Sequence, residues 1–550
     1  MSEHESPTDP APAPHKGAPA GSPFRPLHTR PVPLSDVAGL LGLPREAAGD
    51  TLVTGVALDS RSVEPGDLYV AVPGTGRHGA SFAAQALENG AVAVVTDEAG
   101  ARLTALDDAV AGVPVLVVDD ARAAVGPVAA FVFASQPEDA ARPLLLGVTG
   151  TNGKTTTTYF ANALLGALGH RTGLIGTIEI LAGGEAIPSR LTTPESTDVH
   201  ALLALMRERG LTAASMEVSS HAIEYRRVDG VRYDVAGFTN LTQDHLDLHE
   251  TMDEYFSAKA KLFTPERAAR GVVMVDDAWG RRLAEQAAIP VTTLSVAGER
   301  ADWFLASSER DGLGTAFELE GPNGRSLHLR TGLPGQFNVA NAALAALMVH
   351  AAGASLEEIQ RAADVAEPFS VEVPGRMQLV GTEPAAVVDF AHNPDALERA
   401  LEAVRPPEGA GRVVVVFGAT GQRDQGKRPI MGAVAVRGAD VVVVTDDDPH
   451  DEDPTAIRAD VVGGARAEND AAGLGRIVEE VAPRAAAIRR AVELAGSGDV
   501  ILVAGRGHEV FQEVQGVNLD LDDRVELRAA LDARGFRTVG AEQIESTTDD

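Results

Sequence analysis

The sequence predicts an α/β protein of three domains, and three observations carry that prediction. The chain is 550 residues long, whereas a single hydrophobic core stops growing near ~250–300 residues. Short β-branched runs alternate with Ala/Leu/Arg-rich stretches of helical period. Breaks rich in Pro and Glu near 134–143 and 366–374 interrupt that alternation. The chain therefore divides into 31–142, 143–368 and 369–550. Residues 1–30, rich in Pro and Ala and without apolar periodicity, read as a disordered tail.

The runs expected as strands are 113–118, 144–149, 272–275, 413–417, 441–445 and 500–504. Each is short, apolar and bounded by turn residues or polar loops. The stretches 155–168, 199–209 and 485–495 are expected as helices, because their apolar residues recur at helical spacing. No window approaches the ~18 consecutive apolar residues that span a bilayer. The tail lacks the apolar core of a signal peptide. A cytoplasmic protein without membrane contact is expected, and the polar residues 545–550 should fray.

Charge and cysteine content narrow the function. The 47 Lys+Arg against 79 Asp+Glu leave a net charge of −32, a field that repels nucleic acid and anionic lipid. The absence of cysteine removes disulfides, thiolate metal sites and a catalytic thiol. If the substrates are anions, positive charge has to be concentrated in particular sites.

The sharpest such site is the run Leu144-Leu-Leu-Gly-Val-Thr-Gly-Thr-Asn-Gly-Lys-Thr-Thr-Thr-Thr158: an apolar strand, a Gly-rich turn, then Lys154 and Thr155 opening a helix. Gly150 and Gly153 let the backbone curl so that successive N–H groups face one point, and the helix start adds partial positive charge. A polyphosphate fits there, with Lys154 on the terminal phosphates and the Thr155 hydroxyl on Mg²⁺. The strict phosphate-loop spacing is not met, because Val148 stands where its first glycine would be. The strand–turn–helix context nevertheless predicts a central P-loop-type ATPase domain. A mononucleotide site alone does not separate an ATP-consuming ligase from a switch or an ATP-dependent binding module.

Glu217, in Met216-Glu-Val-Ser-Ser-His221, and His245, in Phe238-Thr-Asn-Leu-Thr-Gln-Asp-His-Leu-Asp-Leu-His249, are ligands that a second Mg²⁺ beside a nucleotide accepts. For His221 and His249 a structural hydrogen-bonding role fits equally well. In the last segment four polar loops follow four apolar runs: Asp389-Phe-Ala-His-Asn-Pro-Asp395, Gly418 to Pro429, Thr445 to Pro454 and Gly505-Arg-Gly-His-Glu509. Polar loops just past strand ends are where α/β binding crevices form, so this segment is expected to be a doubly wound, Rossmann-like sheet.

These residues resemble the Mur ligases of peptidoglycan synthesis, and among them the tripeptide-synthetase branch. The likeness runs from about Pro33 to Gly540. It includes Asp59-Ser-Arg-Ser-Val-Glu-Pro-Gly-Asp-Leu-Tyr-Val-Ala-Val-Pro-Gly74, the Gly-Thr-Asn-Gly-Lys-Thr-Thr turn, Thr192-Thr-Pro, Met-Glu-Val-Ser-Ser-His, Asn-Leu-Thr-Gln-Asp-His-Leu-Asp, Val373-Pro-Gly-Arg-Met377 and Gly-Lys-Arg-Pro.

The resemblance implies that ATP phosphorylates the D-glutamyl carboxylate of UDP-MurNAc-L-Ala-D-Glu. The amine of an incoming amino acid, diaminopimelate or lysine, then displaces phosphate. It implies ATP contacts from Gly150, Thr151, Asn152, Gly153, Lys154, Thr155, Thr156, Asn338, Arg376 and His392, and two Mg²⁺ held with Thr155, Glu217 and His245. Lys259 matches the lysine that the family carries as a CO₂-derived carbamate, a third kind of metal ligand, whereas Lys261 does not align. The UDP-sugar peptide falls to Ser60, Thr75, Gly76, Arg77, Thr192, Thr193, Ser219 and Arg227. The amino acid falls to Arg423, Asp447, Asp448, Pro449, His450, Gly505 and Glu509. A monomer acting on small molecules is expected.

The departures lie in the amino-acid site. Members that add diaminopimelate carry Asp-Asn-Pro-Arg, whose arginine suits a distal carboxylate. This chain has Asp447-Asp448-Pro449-His450, and Asp448 adds an acceptor suited to an ammonium group. Arg506 stands where lysine is common, and Asn393 replaces a threonine. A housekeeping tripeptide synthetase and a derived ligase of a secondary pathway both fit. Folylpolyglutamate synthase lacks the Asp-Ser-Arg signature of the first segment. A non-catalytic, nucleotide-gated binding protein would need broken metal or lysine positions, and none is broken.

Overall fold

The computed structural model describes residues 23–539 apart from 139–141, 190, 245–247, 312 and 408. Three α/β domains follow one another, built on sheets formed by segments 55–117, 144–331 and 378–538. The runs at 144–149, 413–417 and 500–504 are strands over those same residues. The run at 113–118 shortens to Val115–Val117, and that at 441–445 to Val441–Val444. The run at 272–275 belongs to a longer strand, Ala268–Met274, whose beginning was hidden by exposed Ala269 and Arg270. The expected helices form as Lys154–Ala167, Ser196–Glu208 and Arg484–Leu494.

The first domain carries a four-stranded, all-parallel sheet in sequential order: Gly55–Ala57, Asp67–Ala71, Ala93–Thr96 and Val115–Val117. Its core continues into helix Ala121–Phe133, whose Val125, Val128 and Val132 are buried.

The central sheet has eleven strands, with Leu144–Thr149 between Ala213–Glu217 and Tyr233–Phe238, parallel to both. The phosphate loop thus leaves the carboxyl end of an interior strand. Beyond Val291–Ser295 the sheet is extended by Trp303–Asp311, Gly314–Gly321 and Arg325–Thr331, the last three joined antiparallel. The sequence did not reveal this extension. Its last two strands alternate buried Leu319, Leu327 and Leu329 with polar residues, and Trp303–Asp311 is mostly exposed, so no continuous apolar run marks them.

The C-terminal sheet is doubly wound, as expected. Its parallel strands lie in the order Ile477–Glu480, Val441–Val444, Val413–Phe417, Val500–Ala504 and Ala385–Asp389, with antiparallel Gln378–Glu383 and Arg537–Thr538 at one edge. Val413, Val415 and Phe417 face helices Pro394–Val404, Lys427–Gly438 and Pro454–Ala471. Val414 and Val416 face helices Arg484–Leu494 and Asp523–Ala533. Side chains buried on both faces explain the all-valine runs, each stabilising the sheet by about 1.5–3 kcal/mol. Because the strands are parallel, the loops after Asp389, Phe417, Val444 and Ala504 emerge at one edge.

One expectation is corrected. Residues 1–22 and 540–550 lie outside the described residues, but residues 23–30, placed in the tail by composition, are tied down. Phe24 packs on the central core, and the Leu27 amide donates to Glu208 at 2.7 Å. Arg25 makes two hydrogen bonds, of 2.5 and 2.6 Å, to buried Asp67 of the first domain. A strap of this kind carries no periodicity, because a single arginine meeting a buried carboxylate is enough to order it. Arg25→Ala leaves Asp67 without its partner and is expected to cost about 3 kcal/mol, read as an earlier urea-unfolding transition.

Candidate functional site

The strand Leu144–Thr149 ends in the turn 150–153, which is braced from the neighbouring strand end. Asn240 accepts the Thr151 amide through its carbonyl at 2.9 Å and the Asn152 amide through its side chain at 3.0 Å. Thr239 donates to the Asn152 carbonyl at 2.6 Å. Gly150 has φ +146°, and a Cβ there would strike the Thr239 hydroxyl, so any side chain would push the brace away.

This turn opens into a cleft of ≈ 1100 Å³ between the central and C-terminal domains. Thr151, Asn152, Gly153, Lys154, Thr155, Thr156, Thr192, Glu217, Asn338, Arg376 and His392 all line it, from segments far apart in sequence. The domains also touch directly, since the Asn152 side chain donates through Nδ2 to Asp395 at 3.0 Å. Asn393, the threonine replacement, caps helix Pro394–Val404 by accepting the Ala396 amide at 2.9 Å.

Two lysines meet at the loop, and Arg376 lines the same cleft. Lys154 Nζ donates to the carbonyls of Gly150 and Thr151, at 3.1 and 2.9 Å. Lys259, 1 % exposed, donates to the same Gly150 carbonyl at 2.8 Å and lies 4.5 Å from the centre of the Tyr255 ring. Half-buried Arg376 stacks over Phe390 at 4.3 Å. Burial, followed by repulsion from Lys154, holds Lys259 well below the ordinary lysine range. Burial lowers Lys154 and Arg376 as well, against the pull of Glu217 on both. Lys261, by contrast, is exposed and paired with Glu224 at 3.1 Å.

Glu217, fully buried, collects the Thr155 hydroxyl at 2.8 Å, the Thr177 amide at 2.8 Å and the Thr177 hydroxyl at 3.1 Å. Mg²⁺ needs oxygen ligands and is held by one or two carboxylates together with phosphates. Thr155 and Glu217 meet that requirement, while no cluster of three His, Asp or Glu among the described residues would make a protein-only cage. His245 lies outside the described residues. The ring of His249 stacks on Tyr255 at 5.1 Å, which favours the structural role for that histidine.

Sequence reasoning passed over Thr177, and gave Asp389 no role beyond opening a polar loop. Thr177 lies in a turn with no motif, and only the fold sets it against Glu217. Asp389 lines the cleft and accepts the Met377 amide at 2.7 Å, and burial pushes its carboxyl up to about 6 despite Arg376. Its position at a strand end beside His392 was the available signal.

The residues assigned to the sugar nucleotide fall in two places. In the first domain Ser60 is buried and donates to Gln85 at 2.8 Å, so its hydroxyl is engaged, whereas Thr75, Gly76 and Arg77 form an exposed loop. Near the cleft, Thr193 donates to the Glu217 carbonyl at 2.9 Å and accepts the Ser219 amide at 3.1 Å. Arg227 pairs with Glu195 at 2.9 Å.

The amino-acid set gathers at the edge of the C-terminal sheet, where Arg423 and Pro449 lie on neighbouring loops and Gly505 packs against Asp447. Asp448 is not the open acceptor the sequence suggests. Arg506, fully buried, pairs with it and reaches Glu509 at 3.6 Å and Asp447 at 3.7 Å. Sequence spacing could not show this, because the partners are 58 residues apart. His450 hydrogen-bonds Glu513 at 2.8 Å. Three carboxylates thus share one arginine, and burial together with Asp447 pushes Glu509 up to about 8.

Three α/β domains, a phosphate loop on an interior strand and a cationic cleft closed by a doubly wound domain define a multidomain nucleotide-using enzyme. Family models for the Mur ligase family catalytic domain, the Mur ligase middle domain and the Mur ligase glutamate ligase domain match residues 52–132, 148–349 and 375–507. The chain belongs to the Mur ligase family, ATP-dependent ligases of peptidoglycan precursor synthesis. It is 49% identical over 522 residues to a UDP-N-acetylmuramyl-tripeptide synthetase of Leifsonia xyli subsp. xyli, covering 94% of this chain and 99% of that one. A UDP-N-acetylmuramoyl-L-alanyl-D-glutamate–2,6-diaminopimelate ligase of Streptomyces avermitilis is 46% identical, with coverage of 92% and 98%. The solved structure of a ligase with that same activity name aligns with a TM-score of 0.60 at 32% identity, covering 88% of this chain and 96% of that one.

Proposed function

We propose that this ligase adds the third amino acid to UDP-MurNAc-L-Ala-D-Glu, consuming ATP and releasing ADP and phosphate. The observation that carries the nucleotide half is that Lys154 bonds the loop carbonyls while Arg376 lines the same cleft from the other domain. In a chain of net charge −32, two cations, Lys154 and Arg376, kept in one cleft against the cost of burial mark a place built for an anion. The names of the relatives support the sugar-nucleotide half.

In this reading the γ-phosphoryl group passes from ATP to the D-glutamyl carboxylate, making an acyl phosphate. The incoming amine attacks the acyl carbon, sheds a proton, and phosphate leaves as the amide forms. Phosphoryl transfer asks for alignment and charge neutralisation more than covalent help. Lys154 and Arg376 neutralise phosphate oxygens, Asn338 and His392 border the nucleotide, and Thr192, Thr193, Ser219 and Arg227 orient the peptide end. Ser60 and the loop 75–77 hold the uridine part. Thr155 and Glu217 would hold Mg²⁺, with Lys259 as a carbamate and His245 joining for a second ion. When bound, Mg²⁺ supplies charge neutralisation at the transferring phosphate. The reaction belongs in the cytoplasm, in keeping with the absence, among the described residues, of any helix long and apolar enough to cross a membrane.

The amino acid is a diamino acid received by Asp447, Arg423, Gly505 and Glu509. Asp447, which Arg506 reaches only at 3.7 Å, and His450 in place of an arginine favour a side chain ending in an ammonium group without a distal carboxylate, as in lysine. Diaminopimelate is the second reading, favoured by the names of several relatives. The test is phosphate release and product mass with ATP, Mg²⁺, UDP-MurNAc-L-Ala-D-Glu and, separately, lysine, diaminopimelate and other amino acids. No turnover with any of them sinks the ligase reading.

The same site predicts a pH effect. Glu509 is neutral below about 8 and becomes a carboxylate above it. The KM for the incoming amino acid should therefore fall as pH rises through that value, and in Glu509→Gln this dependence should flatten. KM is the proper readout, because kcat also follows deprotonation of the attacking amine.

A further inference from the structure

Beneath the amino-acid loops lies an ion pair that the mechanism has not used. The side chains of Arg484 and Asp523 are both 0% exposed, and two parallel hydrogen bonds of 2.7 Å join them. Each is the first residue of its helix, Arg484–Leu494 and Asp523–Ala533, on the face of the sheet away from the central domain's packing partners. A buried ion pair is weak evidence for stability by itself, since desolvation offsets much of the attraction. What marks this one is where its remaining donors go. Arg484 Nη1 donates to the Asp446 carbonyl at 3.0 Å, and Nη2 donates to the Ala504 carbonyl at 2.8 Å.

Those two carbonyls immediately precede Asp447 and Gly505, where the two amino-acid loops begin. The strands that lead to them, Val441–Val444 and Val500–Ala504, are not neighbours, because Val413–Phe417 lies between them. They are therefore two strand spacings apart, ~10 Å, and no ladder hydrogen bond joins their ends directly. One planar guanidinium spans the gap, with its orientation set by the bidentate carboxylate of Asp523. Above it, Arg506 joins the same loops through Asp448.

We propose that Arg484, held by Asp523, is a positioning residue that sets the separation of loops 447–450 and 505–509, and so governs affinity for the incoming amino acid without touching it. The inference rests on the reading that these loops receive the amino acid. A planar fork is required: a lysine ammonium cannot bond both carboxylate oxygens and two carbonyls in fixed directions. A shift of about 1 Å in a positioned group is enough to cost on the order of 10²-fold.

The test uses the full chain with Arg484→Lys and Asp523→Asn. In Arg484→Lys the KM for the incoming amino acid should rise ~10-fold or more, while the KM values for ATP and UDP-MurNAc-L-Ala-D-Glu stay within about twofold. Hydrogen–deuterium exchange should quicken together in 445–450 and 505–509 and stay unchanged in 150–156. Asp523→Asn, which keeps the guanidinium and loosens its hold, should show the same pattern in weaker form. Equal changes in all three KM values, or loops whose exchange does not move, overturn the proposal. So does failure of both variants to fold, which would make the pair a holder of the domain and nothing more. If the wild-type chain turns over no amino acid, it is the functional reading that fails, and the exchange measurement still decides whether Arg484 sets the loops.

Discussion

Lys259→Ala is expected to lower kcat by about 10³-fold, with part of the loss restored by millimolar acetate or formate. The expectation follows from the environment of the amine. Lys259 is 1 % exposed, and burial and the Lys154 charge both disfavour its ammonium form, so the neutral amine that takes up CO₂ is more accessible than in an ordinary lysine. The carbamate so formed would carry anionic oxygens beside the phosphate loop, whose Gly150 carbonyl Nζ contacts at 2.8 Å. Removing the side chain deletes that anion, and a free short carboxylate can stand in for it. Lys261→Ala, at an exposed surface pair, should leave activity within about twofold. The measurement is steady-state phosphate release with and without added carboxylate. Unchanged activity in Lys259→Ala, or a folded variant that no carboxylate repairs, refutes the carbamate role.

Lys154→Met should cost about 10²–10³-fold in kcat and raise the KM for ATP, while the folded state melts no lower than wild type. Methionine keeps an unbranched stem and removes the charge. Burial, and next the opposing pull of Glu217 and Asp244, set the state of Lys154, with Arg376 adding repulsion. Relieving the repulsion between Lys154 and Arg376 should not weaken the fold, because like charges kept together for function are a cost borne by the site. Lys154→Arg should not restore activity, since a forked guanidinium does not fit where a compact ammonium hydrogen-bonds two loop carbonyls at 3.1 and 2.9 Å. ATP titrations of phosphate release, paired with thermal melts, check both halves. A variant that loses activity and stability together would count against Lys154 as a phosphate ligand.

Much of the site was legible because its parts are local. The turn 150–153 lies between a strand and a helix that its own residues specify, and the strand Val413–Phe417 announces burial on both faces through unbroken apolar side chains. Other features were invisible because they depend on strand order. The strands in 303–331 carry no continuous buried run, and Thr177 meets Glu217 only because Thr172–Ile175 lies beside Ala213–Glu217. Arg25 looked like part of a tail until Asp67, 42 residues away, was placed against it.

By itself the sequence determined the α/β class and the place of the phosphate loop, since apolar periodicity and a Gly-rich turn between strand and helix are local signals. Only the tertiary structure decided which charges are already paired. Asp448 reads as an open acceptor in sequence and is taken by Arg506, while Arg484 and Asp523, silent in sequence, meet beneath both loops. The reason is physical: the protonation and reach of a buried group depend on what the fold places within a few ångströms of it, and chain separation does not encode that distance.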